Sequence, residues 1–266
     1  MSSTNPVLKN LPGAQDGQAH GQTYSPAGFD YPQQTERPMT VNDVTAKTGI
    51  TLAVIVLGAL VTFSMYGAGM YGPATIATFV GMIGAFITVM VHSFGSKYGS
   101  PVITLIYAAF EGLFLGGFSF MISGAFSVGG ADAGALIGQA ILGTIGVFIG
   151  MLVVYRTGAI RVTPRLNRFI TGAIFGVFIM ALGNFLLFLF TGMSPLRDGG
   201  TVSIIFGVIC VVLGSLAFLQ DFDQVDKLVR VGAPEKAAWG AALGLAVTLV
   251  WLYTEILRLL SIMSDR

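Results

Sequence analysis

Seven long runs of apolar residues, separated by polar connections, constrain this chain more than any other feature. They lie at about residues 48–66, 74–94, 101–122, 133–155, 168–190, 201–220 and 237–263. Each run is about 20 residues long, the length that an α-helix needs to cross a lipid bilayer. Only 10% of the residues are charged, whereas soluble domains carry roughly 25%. The sequence therefore predicts an all-α, polytopic membrane protein with seven transmembrane helices.

The amino-terminal stretch differs in composition from the rest of the chain. It is rich in Gly, Pro, Gln, Ser and Thr, and it lacks the apolar content that a folded core requires. It also lacks the charged start and apolar core of a signal peptide. We therefore expect a disordered polar tail over about residues 1–44 and a seven-helix transmembrane domain over about residues 45–266.

Lysine and arginine are distributed unequally between the two sides of the predicted bundle. Cytoplasmic loops of membrane proteins carry an excess of these residues. With seven spans, one side holds eight of them and the other holds three: Lys97, Arg156, Arg161, Arg165, Arg168, Lys227, Arg230 and Lys236 against Arg197, Arg258 and Arg266. The sequence therefore predicts a cytoplasmic amino terminus and a carboxyl terminus on the outer face.

Several function classes find no support in the sequence. The net charge is +1, and no basic block points to nucleic acid as a partner. The chain contains no H-E-x-x-H, Walker A or C-x-x-C motif, so neither a metalloprotease, a nucleotide-binding loop nor a dithiol site is indicated. The single cysteine, Cys210, rules out an intramolecular disulfide. We expect a protein that is not an enzyme and carries no cofactor and no firm metal site.

One acidic residue, Glu111, falls deep inside the third apolar run. It lies ten residues after Pro101, which places it about 15 Å into a hydrocarbon core about 30 Å thick. A charged carboxylate at that depth is costly. We therefore expect Glu111 either to carry a proton or to face a hydrated cavity, with Tyr107 one helical turn away as a hydrogen-bond partner. A structural role and a functional role both remain open.

Other ionisable residues lie near the ends of the spans. Asp221 closes the sixth run, and Asp223 is expected further into the following loop. On a helix these two carboxylates would point to different faces. Glu255 has Arg258 three residues later, so we expect a structural ion pair. His92, near the end of the second run, titrates close to neutral pH when unperturbed, and we expect it to be solvated at the membrane interface.

Glycine pairs with small-xxx-small spacing recur in several spans. Such pairs let helix backbones approach closely in a membrane, so we expect them to mark helix–helix contacts. The pairs are Gly112/Gly116, Gly146/Gly150, Gly172/Gly176 and Gly240/Gly244.

Three sequence patterns occur in order along the chain. They are Y-x-x-x-E-G-x-x-x-G at residues 107–116, L-Q-D-F-D-Q-V at residues 219–225 and W-L-Y-T-E-I-L-R-L-L at residues 251–260. Together, on a seven-span chain, they resemble the Bax inhibitor-1 family, also called the transmembrane Bax inhibitor motif family. The resemblance extends from about Val41 to the end of the chain and excludes the tail.

This resemblance implies a fold and a function. The fold is a bundle in which six helices surround a central seventh. The function is a pH-sensitive calcium leak across a lipid bilayer, controlled by a sensor made of two aspartates. The first sensor acid matches Asp221. The second lies ten residues before an arginine that matches Arg258, and this position holds Thr248 instead of an acid. Glu111 is the nearest remaining candidate by residue type.

Two functions from different classes follow from these residues. The first is a leak channel for calcium or other cations, for which the candidate pore or pH-sensor residues are Asp221, Glu111, Asp223, Thr248 and Glu255. The second is a non-conducting membrane regulator that binds other membrane proteins, with the polar tail as its docking element. Calcium flux into liposomes that contain the purified protein distinguishes the two functions.

The predicted orientation is tested by a reporter fused after Arg266. We expect a reporter that works only outside the cytoplasm to be active, because seven spans place the two termini on opposite sides of the membrane. A fusion that is active only in the cytoplasm contradicts seven spans in this orientation.

Overall fold

The computed structural model describes residues 37–95, 98–126 and 133–264. These residues form seven α-helices: α1 (Val41–Gly67), α2 (Tyr71–Phe94), α3 (Pro101–Phe126), α4 (Ala133–Thr157), α5 (Pro164–Thr191), α6 (Thr201–Arg230) and α7 (Ala237–Ser264). All seven are long and apolar enough to cross a membrane. The prediction of an all-α protein with seven candidate transmembrane helices is therefore confirmed. The predicted tail lies outside the described residues as far as residue 36.

The last helix, α7, is the most buried element of the bundle. In its most apolar 18-residue window, 61% of the residues are buried, against 50% for α6 and none for α5. It packs against α1, α3, α4 and α6, and small residues such as Ala238, Ala242 and Ala246 are fully buried at these contacts. The helix α5, by contrast, packs chiefly along α6. The arrangement of six helices around a central seventh therefore stays a prediction.

The helix α1 begins at Val41, earlier than the apolar run at about residue 48 predicts. Its start is fixed by a capping box in which the Thr40 side chain accepts a hydrogen bond from the Asp43 backbone, while the Asp43 carboxylate accepts one from the Thr40 backbone. Two such reciprocal bonds satisfy backbone donors that a helix start otherwise leaves unpaired. The expected boundary near residue 44 thus falls inside a helix.

The residues just before α1 pair with the connection between α6 and α7. The Met39 backbone donates to the Ala233 carbonyl at 2.8 Å, and the Glu235 backbone donates to the Arg37 carbonyl at 2.9 Å. The Met39 side chain is 2% exposed and belongs to the core, and the Lys47 ammonium reaches the Glu235 carboxylate at 3.2 Å. These contacts connect the entry to α1 with the turn that joins α6 to α7.

The helix α6 continues well past the apolar run, which ends at about residue 220. Its last ten residues remain helical as far as Arg230. Asp223 pairs with Lys227 at 2.5 Å and Asp226 pairs with Arg230 at 2.6 Å, both at i,i+4 spacing, a spacing that supports exposed helices. The expectation that Asp223 lies in a loop is therefore wrong, because these pairs extend the helix beyond its apolar part.

The glycine pairs do not all mark helix contacts. A methyl group built on Gly112 would lie 2.5 Å from the Ile55 carbonyl oxygen, and one built on Gly116 would overlap the Ala59 carbonyl. This pair thus lets α3 approach α1 closely. Around Gly146, Gly150, Gly172 and Gly176, nothing lies within 4 Å of such a methyl group. The expectation of close helix contacts is therefore wrong for the pairs in α4 and α5.

We expect Gly112→Ala to destabilise the bundle, because the added methyl group meets backbone atoms that cannot move aside. Overpacking of this kind costs roughly 1–3 kcal/mol. The matched control is Gly150→Ala, which adds the same methyl group to an exposed helix position with open space around it. The melting temperature of the purified protein in detergent should fall for the first variant only. An equal effect of both substitutions contradicts the tight α1–α3 contact.

Candidate functional site

The centre of the candidate site is a hydrogen bond between α6 and α7. The Thr248 hydroxyl lies 2.7 Å from the Asp221 carboxylate and donates to it. Thr248 is 7% exposed, and Asp221 is half-buried. Because Thr248 lies in the middle of the most buried helix, the contact joins a titratable group of α6 to the core. The structure thus brings together Asp221 and Thr248, the two positions that the resemblance assigns to the sensor.

Asp221 and Thr248 face a cavity of about 410 Å³ between α2, α6 and α7. A cavity of this size is large enough to hold several water molecules or a hydrated cation. Its walls combine a carboxylate, hydroxyls, an amide and an imidazole with small and apolar residues of α7. The polar lining residues are His92, Ser93, Tyr98, Asp221, Gln224 and Thr248.

His92 is part of this cavity rather than of the solvated interface. The side chain is 8% exposed, and its ring lies 5.2 Å from the Tyr98 ring, centroid to centroid. Within the described residues, its buried Nδ1 atom has no hydrogen-bond partner. The expectation of a solvated histidine is therefore wrong, since Tyr98 folds over it from the connection between α2 and α3.

Tyr98 completes the wall of the cavity on the side of that connection. The Gln224 amide lies 3.5 Å from its hydroxyl. Burial raises the pKa of Tyr98 above its usual range, so the side chain stays a neutral phenol at neutral pH. The other ionisable groups of this cavity are an imidazole and a carboxyl group.

Glu111 lies apart from this cavity. It is half-buried on α3 and interacts with the hydroxyl of Tyr107, one turn earlier. Tyr107 itself is 2% exposed and packs against Leu243, Ala246 and Val250 of α7. Among the described residues, the side-chain partner of Glu111 is Tyr107 and that of Asp221 is Thr248, so the structure does not pair the two carboxyl groups.

Asp223 faces away from Asp221. It lines a different cavity, of about 470 Å³, on the side of α6 that faces α4. The two aspartates thus lie on different faces of α6, as their spacing predicts.

Glu255 takes part in an ion-pair cluster nearer the carboxyl-terminal end of α7. Its carboxylate lies 2.5 Å from the guanidinium of Arg258 and 3.3 Å from that of Arg197. Glu255 and Arg258 are 3% and 5% exposed. The expected pair with Arg258 is present. The second partner, Arg197, lies on the connection between α5 and α6, and the sequence does not indicate its approach to Glu255.

This cluster carries more positive than negative charge. Two guanidinium groups share one carboxylate, and the Nε and Nη1 atoms of Arg258 have no hydrogen-bond partner among the described residues. Two buried hydroxyls, those of Ser203 and Ser261, also lack one within the same residues. Burying a charge without full compensation is costly, so the cluster is a candidate for a functional rather than a purely structural element.

The comparison with known protein families agrees with the three sequence patterns. The family model described as Bax inhibitor 1 like matches residues 5–265. This match begins well before Val41, so the expectation that the likeness excludes the whole tail is wrong. No curated protein matches the chain. Since the family model covers nearly the entire sequence, the chain belongs to the Bax inhibitor 1 like family.

Proposed function

We propose that this protein is a pH-sensitive leak channel for cations, calcium among them, and that the cavity beside Asp221 is one mouth of the pathway. The observation that carries this proposal is a half-buried carboxylate on a membrane-length helix, which lines a cavity of about 410 Å³ and is bound by one hydroxyl of the buried helix α7. Ionisable groups inside transmembrane segments are rare and mark ion pathways by default.

The chemistry of the cavity favours transient rather than tight binding of a cation. Calcium takes six to eight oxygen ligands. The polar lining offers one carboxylate together with hydroxyl and amide oxygens. In the described part of the chain, no group of three or more His, Cys, Asp or Glu residues could hold a metal ion. A cation attracted by Asp221 would therefore leave again quickly, as a leak requires.

The charges that face the cavity set the sign of the expected pH dependence. His92 on α2 and Asp221 on α6 are the ionisable groups that line the cavity together with Tyr98, which stays neutral. At lower pH, protonation of His92 adds a positive charge and protonation of Asp221 removes a negative one. Both changes disfavour a cation in the cavity, so flux should rise as the pH rises.

The cluster around Glu255 supplies a barrier further along the pathway. Its two guanidinium groups and one carboxylate leave a net positive charge, with Arg258 buried and the Arg197 side chain 40% exposed. A net positive charge repels cations, and the repulsion is stronger where the surroundings screen it poorly, as around the buried Arg258. Attraction at Asp221 followed by repulsion at this cluster accounts for a slow leak instead of fast conduction.

Calcium flux into liposomes that contain the purified chain tests this function. We expect protein-dependent flux that is higher at about pH 8 than at about pH 6, because a carboxylate and a neutral imidazole favour a cation in the cavity more than their protonated forms do. Asp221→Asn should lower the flux several-fold at the higher pH and weaken its pH response, because the carboxylate that attracts the cation is gone. A dye trapped inside the liposomes reports calcium entry.

The matched control is Asp223→Asn, which removes the same charge two residues away but from the other face of α6. It should leave the flux unchanged. Equal flux for Asp221→Asn and the parent at both pH values means that Asp221 is an interfacial acid only. Flux that never exceeds that of empty liposomes at any pH refutes the leak and favours the non-conducting regulator.

Restoring the second sensor acid should strengthen the pH response. In Thr248→Asp, two carboxyl groups lie within hydrogen-bond distance and can share one proton at low pH. Once both are ionised they repel each other, which separates α6 from α7. We expect flux that rises more steeply with pH than in the parent. The control is Thr248→Asn, which has the same shape as the Asp variant but lacks the second charge, and it should not show this steeper rise. Equal pH profiles for the two variants contradict the proposed role of this contact.

A further inference from the structure

The connection between α4 and α5 carries a group of arginines without counter-charges. They are Arg156, Arg161, Arg165 and Arg168, and all four are exposed. The sequence from residue 133 to residue 197 contains no Asp or Glu. Within the described residues, none of the four has an ion-pair partner. Four uncompensated guanidinium groups therefore lie at the ends of two membrane-length helices.

Two of these arginines differ from the others in their surroundings. Arg156 and Arg161 line the cavity of about 470 Å³ between α4, α6 and the connection, whereas Arg165 and Arg168 do not. Part of the cavity wall is apolar and includes Leu152, Ile160 and Phe222. The site thus combines a basic rim with an apolar wall.

The acidic residues of this cavity are already occupied. Asp226 pairs with Arg230 at 2.6 Å and accepts a hydrogen bond from the Tyr155 hydroxyl at 3.3 Å, and Asp223 pairs with Lys227 at 2.5 Å. The guanidinium groups of Arg156 and Arg161 are therefore left as the free charges at the rim. Arginine binds phosphate groups in a bidentate manner.

We propose that this cavity is a binding site for the phosphodiester headgroup of an anionic phospholipid, with Arg156 and Arg161 as its phosphate ligands. The location at the ends of α4 and α6 matches the depth of a lipid headgroup, and the apolar wall suits the start of an acyl chain. Basic pockets between transmembrane helices bind such headgroups. This site lies on the opposite face of α6 from Asp221 and is independent of the proposed leak.

A general attraction between basic loops and anionic lipids makes a different prediction from this site. General attraction depends on the number of positive charges near the surface, so any two of the four arginines would contribute equally. A defined site depends on Arg156 and Arg161 only. The chain therefore contains its own matched control, two arginines in the same connection that lie outside the cavity.

The experiment measures phosphatidylglycerol binding to the full chain in detergent by native mass spectrometry, with the melting temperature as a second readout. We expect the double variant Arg156→Gln, Arg161→Gln to bind this lipid about tenfold more weakly than the parent, since hydrogen bonds to charged groups are lost. The double variant Arg165→Gln, Arg168→Gln has the same net charge as the first double variant and should bind like the parent. Phosphatidylcholine should bind weakly to all three proteins.

Several outcomes overturn the proposal. Equal weakening in both double variants means that the arginines act only through their charge. If inorganic phosphate raises the melting temperature as much as phosphatidylglycerol does, the site takes a free anion and not a lipid. If the first double variant does not fold, Arg156→Lys, Arg161→Lys keeps the charge but loses the bidentate geometry, and parent-like binding by this variant contradicts the proposed contacts.

Discussion

Polar side chains inside a bilayer must find partners within the protein, because the hydrocarbon core offers no water to replace them. In this bundle the partners meet on α7. The Trp239 carbonyl accepts a hydrogen bond from Thr104 at 3.1 Å, and the Tyr253 hydroxyl lies 2.8 Å from that of Ser119. Both partners belong to α3. Between these two contacts, Thr248 bonds to Asp221 of α6. The most buried helix is thus fixed to two neighbours by polar contacts along its length.

The same helix separates charges of opposite sign. The negative charge of Asp221 lies beside Thr248, and the net positive cluster begins at Glu255, seven residues and about 10 Å further along the helix. Coulomb interactions over this distance are substantial where screening is weak. The two parts of α7 therefore differ in the sign of the charge beside them. The position of Arg197 on the connection between α5 and α6 makes the second region dependent on that connection.

The sequence predicts the elements of this fold well but not all of their ends. Apolar length alone indicates seven helices, which the structure contains. Apolar length does not indicate the start of α1, which the Thr40-x-x-Asp43 capping box sets. Nor does it indicate the end of α6, where Asp223 and Lys227 pair at helical spacing. The glycine rule succeeded in α3 and failed in α4 and α5, because spacing does not reveal whether another helix faces the pair.

The sequence predicts one contact of the candidate site but not the surroundings of His92 and Glu255. The match of Asp221 and Thr248 to two positions of one sensor implied their proximity, and the structure places them in contact. The burial of His92 and the approach of Arg197 to Glu255 depend on connections between helices. Short connections of irregular conformation leave no periodic pattern in the sequence, so the neighbours of these two side chains could not be inferred.

A hydroxyl in place of a second carboxylate changes how α6 is held against α7. Two carboxylates lose their shared proton as the pH rises and then repel each other, whereas the Thr248 hydroxyl attracts the ionised Asp221. Breaking a hydrogen bond to a charged group costs about 1.5–3 kcal/mol. A gap of a few kcal/mol leaves the alternative conformation populated at roughly 0.1–10%. The loss of this one contact therefore costs little enough that a conformation without it is populated to that extent.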